Sequence, residues 1–231
     1  ELGISCMAVR NSYNCGVLGH HAERLAAKGF LALCFTNAPA SIAPVGGHKP
    51  VIGTNPFALA APDGAGGVAL VIDQSASVVA KSEVVKYARA GRALPDGWAQ
   101  DASGQPTNDA DAALRGTMVP AGGYKGVGMG MMTELFAAAL AGANLGIDAS
   151  PFSGVAGGPP RTGQFFIVID PAATSGDRFA DQLRRFVEAF TGQDGARLPG
   201  SRRFDARRRH MREGVDVDTA LLKRITALRD R

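Results

Sequence analysis

Two short apolar runs and the amphipathic stretch between them form the first part of the chain. Residues 3–9 and 30–35 are apolar and compatible with β-strands. The apolar positions between these runs recur at helical spacing: Val17, Leu18, Ala22, Leu25 and Ala26. Gly29 follows them, and glycine commonly ends a helix because it adopts a left-handed conformation. Strand, helix and strand in this order predict a βαβ-like unit, with a polar turn at residues 10–12.

The rest of the chain continues the alternation of strands and helices. Further apolar runs predict buried strands at residues 67–72, which end at Asp73, and at residues 164–169. Helical spacing occurs at residues 76–90, 126–142, 177–190 and 218–228. We expect Val78, Phe186 and Phe190 to face inward, and residues 126–142, apolar on nearly all sides, to be buried. The pattern predicts an α/β protein.

A proline-rich segment, residues 36–62, separates the first unit from the strand at residues 67–72. Its five prolines and three glycines exclude a helix interior. The segment is also apolar, whereas a disordered linker would be polar, so we predict an ordered, stiff and buried loop. His48, Lys49, Thr54 and Asn55 are polar groups on this apolar wall, as in a small-molecule pocket. A rigid crossover that binds no ligand is the alternative.

Composition and charge narrow the class of protein. The chain has 231 residues, of which 45% are hydrophobic and 20% are charged, as in a globular protein of one large domain or two small ones. Its net charge of +4 comes largely from arginines beyond residue 196, and the remainder is slightly acidic. Nucleic-acid binding is therefore not favoured.

The cysteines indicate the cellular compartment, and the first residues indicate how the chain relates to the full protein. Cys6, Cys15 and Cys34 form no CxxC pair, which favours a reduced, cytoplasmic protein. The sequence contains neither a membrane-spanning run nor a secretory signal. The sequence begins with Glu1 rather than methionine and leads almost at once into the predicted strand at residues 3–9. We therefore expect this chain to be the later part of a longer protein.

Two positions could hold a phosphate group. Lys125 precedes the helix at residues 126–142, where free N–H groups and the helix dipole favour an anion. Arg202 and Arg203 follow the turn at Gly200 and could bind a phosphate in bidentate fashion. The alternatives are a solvated lysine and a solvated or subunit-contacting arginine tail. No strand-linked GxGxxG motif, catalytic triad or metal-ligand spacing is present, so we predict neither a Rossmann fold nor a metal site.

Several motifs together resemble one known family. They are NSYNCG at residues 11–16, APVGGHKP at 43–50, GTNP at 53–56, YKG at 124–126, GQFF at 163–166 and LPG at 198–200. The chain resembles the malate/L-lactate dehydrogenase family, which includes sulfolactate and ureidoglycolate dehydrogenases and cyclic imino-acid reductases. The resemblance implies a non-Rossmann α/β fold with a mixed or largely antiparallel cofactor-binding sheet flanked by helices. It also implies a homodimeric NAD(P)-dependent oxidoreductase that transfers hydride to a 2-oxo acid or an imine.

The resemblance also implies roles for individual residues. Those matching cofactor contacts are Asn14, Cys15, Gly16, Ala38, Asp73, Gln74, Ser75, Lys125 and the segment from Gly200 to Asp205, which includes Ser201, Arg202 and Arg203. Thr54 matches a substrate contact, and we place His48 beside it. Glu83 falls where imino-acid reductases carry a carboxylate that supports the acid. Arg202 and Arg203 slightly favour NADP over NAD.

Two departures from the family keep alternatives open. Asn14 stands where the family usually has histidine, and an amide can orient a group but cannot deliver a proton. The family's N-terminal helical segment is not in this sequence, so we expect activity to need residues before Glu1. We expect one catalytic unit, with a cofactor-binding part at about residues 10–165 and an arginine-rich helical part at 166–231. A 2-hydroxy-acid dehydrogenase, a cyclic imine reductase and a non-catalytic dinucleotide-binding protein all remain open.

Overall fold

The computed structural model describes residues 2–154 and 156–229. Its strands are β1 (Ile4–Ser12), β2 (Leu31–Thr36), β3 (Phe57–Pro62), β4 (Val68–Gln74), β5 (Ala99–Gln100), β6 (Pro106–Thr107), β7 (Thr117–Met118) and β8 (Thr162–Ile169). The main sheet has five strands in the order β1-β8-β2-β3-β4. Every neighbouring pair in it is antiparallel, as the family resemblance implied.

The predicted strand, helix and strand of the first unit are present, but the two strands are not neighbours in the sheet. β8 lies between β1 and β2 and pairs antiparallel with both, so these two strands run in the same direction without touching. β1 also continues through the predicted polar turn. Asn11 takes a left-handed φ of 54°, and the pairing register shifts between Val9 and Ser12, so a bulge carries the polar residues to the end of the strand.

The helices are α1 (Leu18–Ala26), α2 (Lys81–Arg89), α3 (Ala110–Arg115), α4 (Tyr124–Glu134), α5 (Pro171–Ser175), α6 (Arg178–Thr191), α7 (Ser201–Glu213) and α8 (Thr219–Arg229). α4 continues as a π-helical segment, Leu135–Leu140. Opposite faces of the sheet are covered by different helices, because successive strand residues point to opposite faces. Ala32 and Cys34 of β2 pack in the cluster with α1, whereas Leu33 and Phe35 pack against Ala137 of the π-helical segment.

A smaller unit stands beside the main sheet. β6, β5 and β7 form a three-stranded sheet, and α2 and α3 pack on each other next to it. Its core includes Val84, Leu94 and Ala99, and it also takes in Ile42 and Ile52 from the proline-rich segment. That segment therefore connects the two cores.

The proline-rich segment is buried only at its ends. Asn37, Ile42, Ile52 and Asn55 are buried, but residues 44–51 are exposed, contrary to the expectation of a wholly buried loop. Its last six residues form β3, a strand inside the main sheet. The apolar residues at Phe57–Pro62 therefore indicated a strand that the proline content concealed.

Three predicted helices differ from the expectation. α2 begins at Lys81 rather than residue 76, because Ser77 pairs with Pro120 and the Val78 N–H donates to the Val119 carbonyl, which leaves Val78 exposed. The helix at residues 126–142 exposes one face, on which Met131, Leu135 and Leu140 lie. In α6, Phe186 and Phe190 are exposed rather than inward.

The C-terminal part is helical and open to solvent. The arginine-rich segment forms α7, and neither α7 nor α8 has a buried residue. Among the described residues, no helix has the length and apolar character needed to cross a bilayer.

Candidate functional site

A cleft of about 430 Å³ lies where β4, the turn before α1 and the start of α7 meet. It is lined by Val17, Val71, Ile72, Asp73, Gln74, Arg197, Pro199, Gly200, Arg202 and Arg203. Asp73, Gln74, Gly200, Arg202 and Arg203 were each predicted as cofactor contacts, and they come from segments far apart in sequence. A second cleft, of about 390 Å³ between α2 and α3, contains none of the predicted residues.

Asp73 organises the cleft from the end of β4. Its Oδ2 accepts hydrogen bonds from the Gly19 N–H at 2.9 Å and from Arg203 Nη1 at 3.3 Å. A Cβ at Gly19 would lie 2.6 Å from that oxygen, so only glycine allows α1 to approach this closely. Asp73 thereby joins the start of α1 to α7.

Glu23 completes an ion cluster behind the cleft. It pairs with both Arg203 and Arg207, and its own side chain is only 13% exposed. The Arg207 guanidinium, which donates to its carboxylate, lowers the pKa of Glu23. Arg203 is thus shared between Asp73 and Glu23, whereas Arg202 makes no ion pair within the described part of the chain. The two adjacent arginines therefore differ: one is built into the fold and the other is exposed at the cleft.

The turn before α1 is held by local hydrogen bonds. Asn14 Oδ1 accepts from the Gly16 N–H at 2.8 Å, and Gly16 takes a left-handed φ of 77°. The Cys15 carbonyl lies 2.9 Å from His21 Nε2. Burial raises the pKa of the Cys15 thiol, so it is protonated near neutral pH. Cys15 therefore contributes backbone and packing here, not a nucleophile.

A second group of predicted residues meets at Ala76. The Ala76 N–H donates to the Thr54 carbonyl at 2.8 Å, next to Ser75. The Ala76 carbonyl accepts from the Ala121 N–H at 2.8 Å, and a Cβ at Gly126 would lie 2.8 Å from that carbonyl. Ala76 therefore contacts both Thr54 and the first turn of α4, and this places the backbone of Lys125 near Thr54 and Ser75.

Glu134 is part of the site's support and was missed from the sequence. Its Oε2 accepts from Asn55 Nδ2 at 2.6 Å, and Asn55 Oδ1 accepts from the Ala38 N–H at 3.0 Å. A signal was available, since Glu134 is the only charged residue in the apolar segment 126–142. A lone carboxylate there must find partners, because burying it without them is costly.

His48 and Glu83 do not join these groups. His48 lies on the exposed part of the proline-rich segment, where its Cβ would be 3.0 Å from a Cβ at Gly104. Glu83 lies on α2 and pairs with Lys86 at 2.6 Å, with 39% of its side chain exposed. No hydrogen bond or ion pair among the described residues connects either side chain to the cleft or to Thr54.

Comparison with known proteins gives consistent matches over the whole chain. A sequence model described as Malate/L-lactate dehydrogenase matches residues 1–226. The chain is 42% identical over 227 residues to a (2R)-3-sulfolactate dehydrogenase (NADP(+)) of Chromohalobacter salexigens, covering 98% of this chain and 67% of that protein. It is 39% identical over 231 residues to Delta(1)-pyrroline-2-carboxylate reductase 1 of Burkholderia ambifaria, covering 99% and 67%.

The fold has a solved counterpart. The crystal structure of delta1-piperideine-2-carboxylate reductase from Pseudomonas syringae pvar. tomato superposes with a TM-score of 0.89 and 36% sequence identity, covering 98% of this chain and 68% of that one. The chain thus spans about two thirds of the length of the relatives that it matches.

Proposed function

Because the chain belongs to the malate/L-lactate dehydrogenase family, we propose that it carries the dinucleotide site of an oxidoreductase that interconverts a 2-hydroxy acid and a 2-oxo acid. NAD or NADP supplies the hydride when bound. One observation carries the proposal: residues from β4, the turn before α1 and the start of α7 line a single cleft. We propose that residues 1–231 act as one catalytic unit, since this cleft needs both the early strands and α7.

The chemistry of the cleft suits a dinucleotide. Asp73 offers a carboxylate that can accept from ribose hydroxyls, and Arg202 offers a free cation for a phosphate. Arg203 is held by Asp73 and Glu23, and its Nε is buried without a hydrogen-bond partner among the described residues, so Arg202 is the arginine open to a ligand. Gly200 has a φ of 84°, and a Cβ there would come within 2.8 Å of the Val71 carbonyl. Glycine at this turn therefore lets the start of α7 pack directly against β4 and close the cleft.

The second group supplies the substrate side of the proposal. Thr54 offers a hydroxyl, and the first turn of α4 offers Lys125 together with N–H groups that lack helical partners. These donors favour an anionic group, whether a cofactor phosphate or a substrate carboxylate. Asn14 orients its neighbours by hydrogen bonding and does not serve as the acid.

A cyclic imino-acid reductase is the second candidate function. The 39% identity with the Burkholderia ambifaria reductase, and the superposition on the reductase from Pseudomonas syringae, favour it. In this case Glu83 would support the acid that protonates the imine nitrogen. The two candidates share the dinucleotide site and differ in the substrate that accepts the hydride.

Dinucleotide binding is the first test of the proposal. We expect Lys125→Ala to weaken NADPH binding about tenfold, since a hydrogen bond to a charged group contributes ~1.5–3 kcal/mol. Lys223→Ala on the exposed helix α8 is the matched control and should bind as the wild type does. Fluorescence titration gives both dissociation constants. If the wild-type chain does not bind NADH or NADPH, the proposed function is wrong.

Substrate screening separates the candidates. Oxidation of NADPH is followed with pyruvate, oxaloacetate and sulfopyruvate, and in parallel with Δ1-pyrroline-2-carboxylate. Faster turnover of a 2-oxo acid supports the dehydrogenase, and faster turnover of the cyclic imine supports the reductase. Because we expect activity to need residues before Glu1, the screen is run on the complete protein. Tight dinucleotide binding by it without turnover of any of these substrates would favour a non-catalytic binding protein.

A further inference from the structure

Glu134 is a buried carboxylate without a cationic partner. It is 7% exposed, and no lysine, arginine or histidine pairs with it in the described part of the chain. Both of its oxygens accept hydrogen bonds at 2.6 Å, one from the side chain of Asn55 and one from the Gly146 N–H. A buried carboxylate without hydrogen-bond partners is destabilising, and these two partners fix Glu134 between Asn55 and Gly146.

Asn55 links Glu134 to the proline-rich segment by hydrogen bonds. It is fully buried, with a left-handed φ of 37° that few residues other than glycine and asparagine adopt. Its Nδ2 donates to both Glu134 and the Gly130 carbonyl, and its Oδ1 accepts from the Ala38 N–H. The amide therefore bonds on all sides, and Glu134 is the one side chain among the three partners that fix its orientation.

The residues that this pair holds are those predicted to contact cofactor and substrate. Thr54 directly precedes Asn55, and Ala38 is bonded to the Asn55 amide. A Cβ at Gly53 would lie 2.2 Å from the Ala38 carbonyl oxygen, so the backbone at Gly53 packs directly against the backbone at Ala38. Glu134 itself ends the helix that begins beside Lys125.

We propose that Glu134 is a positioning residue that, through Asn55, holds Ala38 and Thr54 in register with the helix carrying Lys125. The proposal rests on the proposed function, because it concerns the residues of that site. Its consequence is geometric: without the carboxylate, Ala38 and Thr54 shift relative to Lys125, and a displacement of about 1 Å can cost on the order of a hundredfold in rate.

Glu134→Gln tests the proposal without changing side-chain volume. The glutamine must direct its NH₂ at either Asn55 Nδ2 or the Gly146 N–H, and both are donors. Asn55→Asp combined with Glu134→Gln restores a donor–acceptor pair between the two side chains but gives up the donor to the Gly130 carbonyl, so only partial recovery is expected. Thr117→Val is the matched control, since it removes a buried side-chain hydrogen bond to Gln100 in the small sheet.

Two measurements follow. By hydrogen exchange, we expect Glu134→Gln to speed exchange at the Ala38 and Gly146 amides about tenfold or more while the amides of β2 and β3 keep their rates. By fluorescence titration, NADPH affinity should fall about tenfold. The double variant should recover part of the amide protection and part of the NADPH affinity. Thr117→Val, compared with Glu134→Gln at a similar decrease in melting temperature, should change neither the exchange at Ala38 and Gly146 nor the affinity for NADPH.

The outcomes decide between positioning and general stability. Unchanged exchange at Ala38, or an equal loss of affinity in Thr117→Val, would overturn the inference. A wild-type chain that binds no dinucleotide would refute the proposed function separately. In that event the exchange rates at Ala38 and Gly146 alone would decide whether Glu134 holds the two loops.

Discussion

At the scale of single residues, Arg202 and Arg203 are adjacent in sequence but differ in environment. Arg203 is bound by Asp73 and Glu23, and its side chain is 29% exposed. Arg202 is exposed and lines the same cleft without an ion-pair partner in the described part of the chain. A guanidinium already bound to two carboxylates has less charge to offer a ligand than a free one.

We therefore expect the two arginines to give different phenotypes. Arg202→Ala should weaken NADPH binding about tenfold and NADH binding much less, because only NADPH carries the 2′-phosphate. Arg203→Ala should lower the melting temperature, because it leaves Asp73 and Glu23 without a shared partner. Arg185→Ala on α6 is the control for loss of an exposed arginine. If Arg202→Ala lowered the affinities for NADPH and NADH equally, Arg202 would not contact the 2′-phosphate.

Asn14 gives a prediction about proton transfer. An amide does not titrate, so Asn14→Ala should lower the turnover rate without removing a step from the pH–rate profile. Asn14→His should add a step near neutral pH, where imidazole titrates. Rates measured from acid to alkaline pH on the complete protein and on both of its variants test this. Loss of a titration in Asn14→Ala would show that the residue takes part in proton transfer after all.

At the scale of secondary-structure elements, α7 is attached to α1 by charge rather than by a buried apolar face. None of its residues is buried, yet Arg203 and Arg207 both pair with Glu23 of α1. Within the described residues, Phe204 is the one apolar residue of this helix that packs against the α1 cluster. The wall of the cleft that α7 supplies should therefore depend on Glu23.

Replacing Glu23 tests this attachment. Glu23→Gln should destabilise the fold by ~1–2 kcal/mol, more than Glu188→Gln, which breaks a solvent-exposed pair with Arg184. Because the folded-state pKa of Glu23 is lowered, its stabilisation is present above the ordinary value of 4.5 and is lost as the pH falls through the lowered value. Melting temperatures measured from pH 7 down to about pH 3 should converge for wild type and Glu23→Gln. A constant gap across that range would contradict the ion-pair explanation.

At the scale of the whole molecule, apolar side chains remain uncovered on the C-terminal helices. Leu221, Leu222, Ile225 and Leu228 of α8 are between 47% and 67% exposed and share one face of that helix. Exposed apolar faces of this kind are characteristic of interaction surfaces. We propose that this face forms the contact of a homodimer, the assembly that the family resemblance implies.

Charge placed on that face should change the assembly. We expect Leu222→Glu to shift the protein from dimer to monomer in sedimentation velocity, because it would bury a carboxylate in an apolar contact. Ala227→Glu introduces the same charge on the opposite face of α8 and should leave the dimer intact. A wild-type protein that sediments as a monomer would refute the homodimer, and an unchanged dimer in Leu222→Glu would exclude α8 from the interface.

The sequence by itself determined the local structure and the chemistry of many positions. The apolar periods located α1, β2, β4 and β8 to within a few residues, since the period of burial depends only on backbone geometry. The family resemblance indicated the class of fold and the dinucleotide chemistry, and five of the residues that it implied as cofactor contacts line one cleft.

Only the tertiary structure decided which of these elements and side chains meet. The insertion of β8 between β1 and β2, the capture of Arg203 by Asp73 and Glu23, and the bond between Asn55 and Glu134 all join residues far apart in the chain. Periodicity shows that a side chain is buried but not what it is buried against, because long-range pairing depends on how all the elements pack at once. For that reason the sequence shows Glu134 only as one charged residue in an apolar helix, whereas the tertiary structure shows that Asn55 and Gly146 are its hydrogen-bond partners.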